Sequence, residues 1–139
     1  MGIHREVITP EKKVYEDDVD MVIAPGSEGY LGILPHHAAL LTALGPGEFR
    51  VKKAGLEEVL AVFGGFMDVR PDRVTVLTDA AEHADEIDDA RARTARERAR
   101  EEMQLATASF NAAEEARARA ALERALVRLR VSERRRRRV

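Results

Sequence analysis

With 139 residues, 45% hydrophobic but only 4% aromatic and without tryptophan, the chain has room for one domain with an appendage, not two large cores. The absence of cysteine excludes disulfide frameworks, thiolate nucleophiles and zinc–thiolate sites, and it fits a reducing compartment. The net charge of -2 conceals two unlike halves: residues 1–84 hold 8 Lys/Arg against 14 Asp/Glu, a balance of -6, and residues 85–139 hold 15 against 11, a balance of +4.

Up to about residue 80, Gly, Pro or Asp interrupts the chain every few residues, which predicts an all-β segment. β-rich runs stand at Val19 to Ala24, Phe49 to Val51, Val59 to Phe66 and Val74 to Leu77. They are separated by Pro25-Gly26, Gly45-Pro46-Gly47, Gly55 and the tight turn Arg70-Pro71-Asp72-Arg73. Regular spacing of this kind suits a sandwich or a barrel. Leu60 to Phe63 is apolar without alternation and is expected to be buried on both faces. No helix start follows Gly64-Gly65, so this pair is expected to permit a bulge or a close backbone approach instead of cradling a phosphate. The acidic group Glu16, Asp17, Asp18 and Asp20 lacks the glycine and terminal glutamate of a calcium loop and is expected to form an acidic turn.

From Ala80 onward no Gly or Pro occurs, and Ala, Arg and Glu dominate, a helical composition. One helix is expected from Asp85 or Ile87 to Ala106 and a second from Ala112 to Val131. Ser109 or Asn111 is expected to cap the second, with Glu114 or Glu115 near its third position. An antiparallel hairpin results, its seam formed by Ile87, Ala95, Ala99, Met103 and Ala106 against Ala118, Leu122, Ala125 and Leu129. Alanine removes little apolar surface from water, so such a hairpin can open without either helix melting. All the bases of this half are arginines, whose forked guanidiniums suit acidic partners. No apolar run approaches the roughly 20 residues of a membrane-spanning helix. The start at Gly2 to Glu6 lacks a signal-peptide core, so the chain is expected to be soluble and unprocessed, meeting a membrane only through a complex.

Two stretches carry a family resemblance: GSEGYLGILPHHAALLT from Gly26 to Thr42, and FGGFMDVRPDRVTVL from Phe63 to Leu77. They resemble the signature segments of the epsilon subunit of bacterial and chloroplast F-type ATP synthases, a likeness that runs from Ile3 to Val131. The resemblance implies an α+β chain: an N-terminal all-β sandwich of about ten short strands over residues 1–84, then a two-helix antiparallel hairpin over residues 85–139. It implies a non-catalytic central-stalk subunit of a proton-translocating synthase, with no catalytic residue, no metal and no required cofactor. Its partners would be the gamma subunit, the c-ring and, in an inhibited state, the alpha/beta catalytic head. Its place would be the cytoplasmic face of a bacterial membrane in preference to the stromal face of a thylakoid. In the family the segment around Gly29 to Pro35 forms a loop facing the c-ring, which makes Glu28, Gly29, Tyr30, Leu31 and Gly32 the expected contact. The position before Leu31-Gly32-Ile33 is usually acidic and is Tyr30 here, so any acidic contribution is expected from Glu28.

A second, local resemblance joins Ile87-Asp88-Asp89-Ala90-Arg91-Ala92 to the I/L-D-x-x-R-A motif of ATP-binding epsilon subunits, with Glu82, Arg98, Arg124 and Arg128 at the remaining polar positions. It implies ATP as a regulatory ligand of Glu82, Ile87, Asp88, Arg91, Ala92, Arg98, Arg124 and Arg128. The spacing is compatible: Arg91 and Arg98 share a helix face, Arg124 and Arg128 share another, and a folded hairpin can converge them on a triphosphate. Asp88 and Glu82 would accept from the adenine amino group. No Walker loop or magnesium carboxylate pair accompanies them, so binding without hydrolysis is expected. The same residues also have a structural reading, in which Asp88 caps the helix and Arg91 pairs with Asp85 or Asp89. Arg117, Arg119, Arg124, Arg128 and Arg130 are expected to meet acidic segments of the beta subunits when the hairpin extends as an inhibitory arm.

The histidines His4, His36, His37 and His83 lack metal-ligand spacing and are expected at the surface or an interface. The run Arg134 to Arg138 supports one alternative function, an Arg-rich module for nucleic acid or an acidic partner. Against nucleic acid stand the acidic first half, the glutamates along both helices and the lack of stacking aromatics, since the second half has only Phe110.

Overall fold

A computed structural model of the chain describes residues 3–9 and 13–137, without side-chain detail at residues 14–16 and 135–137. Eight strands appear among the described residues: β1 (Ile3–Ile8), β2 (Lys13–Val19), β3 (Met21–Gly26), β4 (Gly29–Ile33), β5 (Leu40–Lys53), β6 (Leu56–Val69), β7 (Arg73–Leu77) and β8 (Ala81–His83). A single 3-10 turn, Ala84–Glu86, precedes α1 (Asp89–Ala108) and α2 (Ala112–Arg137). The chain divides into two compact units between His83 and Ala84.

In the first unit the strands are hydrogen-bonded in the order β2-β1-β7-β6-β5-β3-β4, with β8 beside β6. Ile3, Val7, Val22, Ile33, Phe49, Leu60, Val62, Met67, Val69, Val74 and Val76, from β1, β3, β4, β5, β6 and β7, fall in one buried cluster. A sheet whose successive strands all bury a face in the same core has to fold over on itself, which is the sandwich. The two 14-residue strands β5 and β6 form its backbone, paired from Leu40↔Val69 to Lys53↔Leu56. The eight strands among the described residues are roughly consistent with the about ten implied by the resemblance, while β5 and β6 are longer than the short runs expected. Gly45-Pro46-Gly47 does not end a strand: β5 passes through it as a bulge, with Ile23↔Arg50 and Gly26↔Leu44 the flanking pairs to β3. The expected strand Val19 to Ala24 is broken at Asp20, where β2 gives way to β3. The expected acidic turn is mostly strand: Glu16, Asp17 and Asp18 lie on β2, opposite Glu6, Arg5 and His4.

Gly64 and Gly65 carry φ of 84° and 108°. Here β6 changes neighbours, from β8 over residues 60–62 to β7 over residues 66–69. A Cβ on Gly65 would stand 2.0 Å from the Leu77 carbonyl oxygen, so the expected close backbone approach is present. Buried Thr78 closes the changeover, its hydroxyl donating to the Gly64 carbonyl at 2.7 Å with the Ala80 carbonyl at 3.1 Å. Leu60, Ala61 and Val62 are wholly buried, as their unalternating pattern predicts, while Phe63 is half-buried.

One arginine enters the core unannounced. The alternating pattern of β1 carries Arg5 inward between Ile3 and Val7, and its guanidinium carbon lies 5.7 Å from the centre of the Phe49 ring. At the surface, the Lys53 ammonium donates to both Asp17 oxygens at 2.8 and 2.9 Å, tying β5 to β2. That hydrogen bond, joined by the charges of Asp17, Asp18 and Asp20 and opposed by slight desolvation, raises the Lys53 pKa above 10.5. A group whose pKa is raised on folding stabilises the fold below its unfolded pKa, and the contribution is lost as pH climbs through the folded value. In an NMR titration, Asp17→Asn is expected to bring Lys53 back toward 10.5 and remove this alkaline contribution; an unmoved Lys53 would refute the assignment.

In the second unit, Asp88 is the N-cap of α1, accepting from the Arg91 amide at 3.1 Å, and the helix starts at Asp89, later than expected. Asn111 caps α2, accepting from the Glu114 amide at 3.1 Å, while Ser109 ends α1. Phe110 between them is exposed with φ of 54°. The α2 backbone runs to Arg137, six residues beyond the expected Val131, because the arginine run is itself a good helix former. The buried seam is Ile87, Ala92, Ala99 and Ala106 against Ala118, Ala125, Val127, Val131 and Ser132. Ala92, Ala99 and Ala106 repeat every seven residues, as do Ala118, Ala125 and Ser132, the spacing of coiled-coil seams. Ala92, Val127, Val131 and Ser132 replace Ala95, Met103, Leu122 and Leu129 of the expected seam, which are only half-buried.

Candidate functional site

The first candidate lies at the tip of the β3–β4 hairpin. Where the resemblance implies a loop over Gly29 to Pro35, Gly29–Ile33 is strand β4, paired with β3 from Val22↔Ile33 to Gly26↔Gly29. The turn proper is Ser27-Glu28. Gly26 and Gly29 close it: a Cβ on Gly26 would meet the Gly29 carbonyl oxygen at 2.7 Å, and Gly29 has φ of 136°. The Ser27 amide donates to the Ala43 carbonyl at 3.0 Å, fixing the tip to β5. Glu28, Gly29, Tyr30 and Gly32 are exposed and Leu31 is half-buried, so the five expected residues share one ledge. An open groove of about 570 Å³ beside them is lined by Glu28, Tyr30, Leu31, Leu40, Leu41 and Thr42, among others. On the neighbouring strands Phe66 and Leu77, in register with each other, are also exposed. Sequence reading did not single out Leu41, Phe66 and Leu77; their outward places follow only from the pairing of β5, β6 and β7.

The second candidate is the hairpin. The Ser132 hydroxyl donates to Asp89 Oδ1, which sets the antiparallel register by joining the start of α1 to the end of α2. Arg91 and Arg98 each precede a buried seam alanine, Ala92 and Ala99, and Arg124 precedes Ala125. Arg128 follows Ala125 by three residues, which turns it to the same side as Arg124. One step back from the seam on either helix of an antiparallel pair leads to the same flank, so these four arginines share a flank. Arg91, Arg98 and Arg124 are exposed and Arg128 is half-buried. Ile87 and Ala92 are buried and belong to the packing. Asp88 commits one carboxylate oxygen to its cap, the use that the structural reading assigned to it. Glu82 lies in the other unit, on β8 opposite Ala61.

The arginines expected of an inhibitory arm do not form one face. At about 100° per residue, Arg117, Arg124 and Arg128 line one side of α2, and Arg119 and Arg130 the opposite side. Arg119 is already engaged by Glu115 at 2.9 Å, four residues earlier. Arg117 borders a shallow cleft with Glu102, Leu105, Glu114 and Ala118. Of the histidines, His4 lies 3.0 Å from Asp18 and His83 lies 3.2 Å from Glu58, both on the sandwich. Among the described residues, no helix is long and apolar enough to cross a membrane.

Comparison with known proteins agrees with this division. Residues 2–84 match the model of the ATP synthase delta/epsilon chain β-sandwich domain, and residues 85–133 match that of its long α-helix domain. The ATP synthase epsilon chain of Herpetosiphon aurantiacus is 49% identical over 138 residues, covering 99% of both chains. That of Dehalococcoides mccartyi is 50% identical over 131 residues, 94% of this chain and 92% of the relative. A chain of the Euglena gracilis mitochondrial ATP synthase, OSCP/F1/c-ring, shares the fold with a TM-score of 0.82 at 24% identity, covering 95% of this chain and 81% of the other. Sandwich, hairpin and half-identical relatives converge: the chain belongs to the family of epsilon chains of F-type ATP synthases.

Proposed function

We propose that the chain is a non-catalytic rotor subunit of a proton-translocating ATP synthase, on the cytoplasmic face of a bacterial membrane. The sandwich couples gamma to the c-ring, and the helical hairpin restrains ATP hydrolysis. The observation that supports this best is the division itself. The first unit owns a dense aliphatic core and an exposed ledge, from Glu28 to Gly32, suited to a lasting contact. The second is held by a seam of five alanines, which contribute little apolar burial each, with Ile87, Val127, Val131 and Ser132 among them. Two helices of high intrinsic propensity with a weak mutual seam can separate while staying helical. Once separated and extended, they carry Arg117, Arg119, Arg124, Arg128 and Arg130, on both sides of α2, to the alpha/beta head, whose carboxylates can pair with them. The closed hairpin supplies the opposing state, with Arg91, Arg98, Arg124 and Arg128 on one flank as a seat for the triphosphate of ATP.

Reconstitution of the whole synthase with the chain truncated after Glu86 is the decisive experiment. The shortened subunit is expected to retain gamma binding and proton-coupled synthesis while ATP hydrolysis rises about tenfold, within the usual range of allosteric coupling. The full chain with Arg117, Arg119, Arg124, Arg128 and Arg130 replaced by Gln is expected to give the same relief. Loss of gamma binding on truncation, or unchanged hydrolysis in both variants, would overturn the assignment of roles.

A further inference from the structure

Tyr30 stands on β4 beside the Ser27-Glu28 turn and is 53% exposed, yet its hydroxyl is engaged. The Glu48 amide donates to it at 3.2 Å. The bulge in β5 explains that bond. Between the pairs Ile23↔Arg50 and Gly26↔Leu44, two residues of β3 face five of β5, so the regular β3–β5 ladder is interrupted beside Glu48. Glu48 is 6% exposed, so the acceptor for its amide comes from the protein and not from bulk water. The Tyr30 hydroxyl fills the gap. It reaches Glu48 past Gly47, where a Cβ would stand 3.0 Å from that hydroxyl and 2.6 Å from the Pro25 Cβ.

The tip is thus held at both ends. Ser27 is bonded to Ala43 on one side, and Tyr30 to Glu48 on the other. Glu28, exposed between them, engages its carboxylate with none of the described residues. We propose that Tyr30 is a positioning residue: its hydroxyl locks the β3–β4 tip to the β5 bulge so that the Glu28 carboxylate is presented rigidly to a cationic group of the neighbouring ring. This rests on the c-ring reading of the tip. A tyrosine at this position adds no charge, but it fixes the backbone of the turn that carries Glu28, and a turn already in place loses less loop entropy on contact.

The test uses the assembled synthase, with ATP-driven proton pumping read against ATP hydrolysis and amide exchange of Glu48 read on the isolated chain. Tyr30→Phe keeps the ring and removes the bond. It is expected to speed Glu48 exchange about fivefold, the worth of one hydrogen bond, and to lower the pumping-to-hydrolysis ratio. Glu28→Gln is expected to lower that ratio without moving Glu48 exchange. The double variant is expected to pump no worse than Glu28→Gln alone, because Tyr30 acts only through Glu28. Unchanged Glu48 exchange in Tyr30→Phe, an intact ratio in that variant while Glu28→Gln is impaired, or additive losses in the double variant would overturn the proposal. Full pumping in both single variants, with Glu48 exchange accelerated as expected, would overturn the ring reading of the tip together with the role given to Tyr30.

Discussion

Gly65→Ala is expected to cost the sandwich about 3–5 kcal/mol, enough to leave much of the chain unfolded near 37 °C. Two penalties combine. An L-residue at φ of 108° is strained by about 1 kcal/mol or more, and the new Cβ would stand 2.0 Å from the Leu77 carbonyl oxygen and 2.8 Å from the Thr78 Cα. Both neighbours are backbone, held by the β6–β7 ladder and by Thr78, so neither can give way cheaply. Gly55 separates the two penalties: it has φ of 80° but nothing within 4 Å of a Cβ, so Gly55→Ala is expected to lose only about 1 kcal/mol. Gly45 has neither constraint, and Gly45→Ala is expected to be near neutral. Denaturant midpoints of the three variants give the comparison. Equal losses at Gly65 and Gly55 would show that the approach of β7 is not rigid.

The glycine pair was legible because two adjacent glycines inside an apolar run have few other uses, and the hairpin because propensity, capping and period agree along it. The outer strands were harder. Val7 in β1 is followed inward only by Ile3 and by Arg5, and an arginine at an inward position hides the period-two signal. β2 carries Glu16, Asp17 and Asp18 together, a composition that reads as turn, and it becomes strand because pairing with β1 and the Lys53 bridge decide its conformation. Gly45-Pro46-Gly47 reads as a break for the same local reasons. Tertiary pairing with β6 on one side keeps it in the strand and lets the other side bulge.

The candidate sites divide in a similar way. The motif beginning at Ile87 is visible in sequence, but its spacing cannot show that Ala92 belongs to the seam or that Asp88 serves as a cap. The ledge of Glu28 to Gly32 was visible as residues but not as a strand, and its dependence on Glu48, eighteen residues from Tyr30, could not be read from local pattern at all. Long-range hydrogen bonds to a bulge leave no periodic trace in the sequence.

ATP is expected to bind the isolated chain saturably in calorimetry, with Arg91→Ala and Arg128→Ala each weakening it about tenfold to a hundredfold, the worth of a charge-assisted contact to phosphate. The two positions test different halves of the site. Arg91 lies on α1 and Arg128 on α2, at similar levels once Ser132 is bonded to Asp89, so both reach one triphosphate only in the closed hairpin. A ligand shifts a conformational equilibrium only by its differential affinity for the two states. On the proposed site the difference is the loss of one helix's guanidiniums on opening, so ATP is expected to favour the closed hairpin and its removal to favour the proposed inhibitory arm. Replacing Ser132 by Ala deletes the bond to Asp89 without touching any of the four arginines, and should lower apparent ATP affinity solely by depleting the closed state. GTP, with a carbonyl where adenine carries its amine, is expected to bind more weakly. Absence of heat at millimolar ATP, or equal affinity for GTP, would falsify the nucleotide site and leave the motif as hairpin packing with Asp88 as its cap.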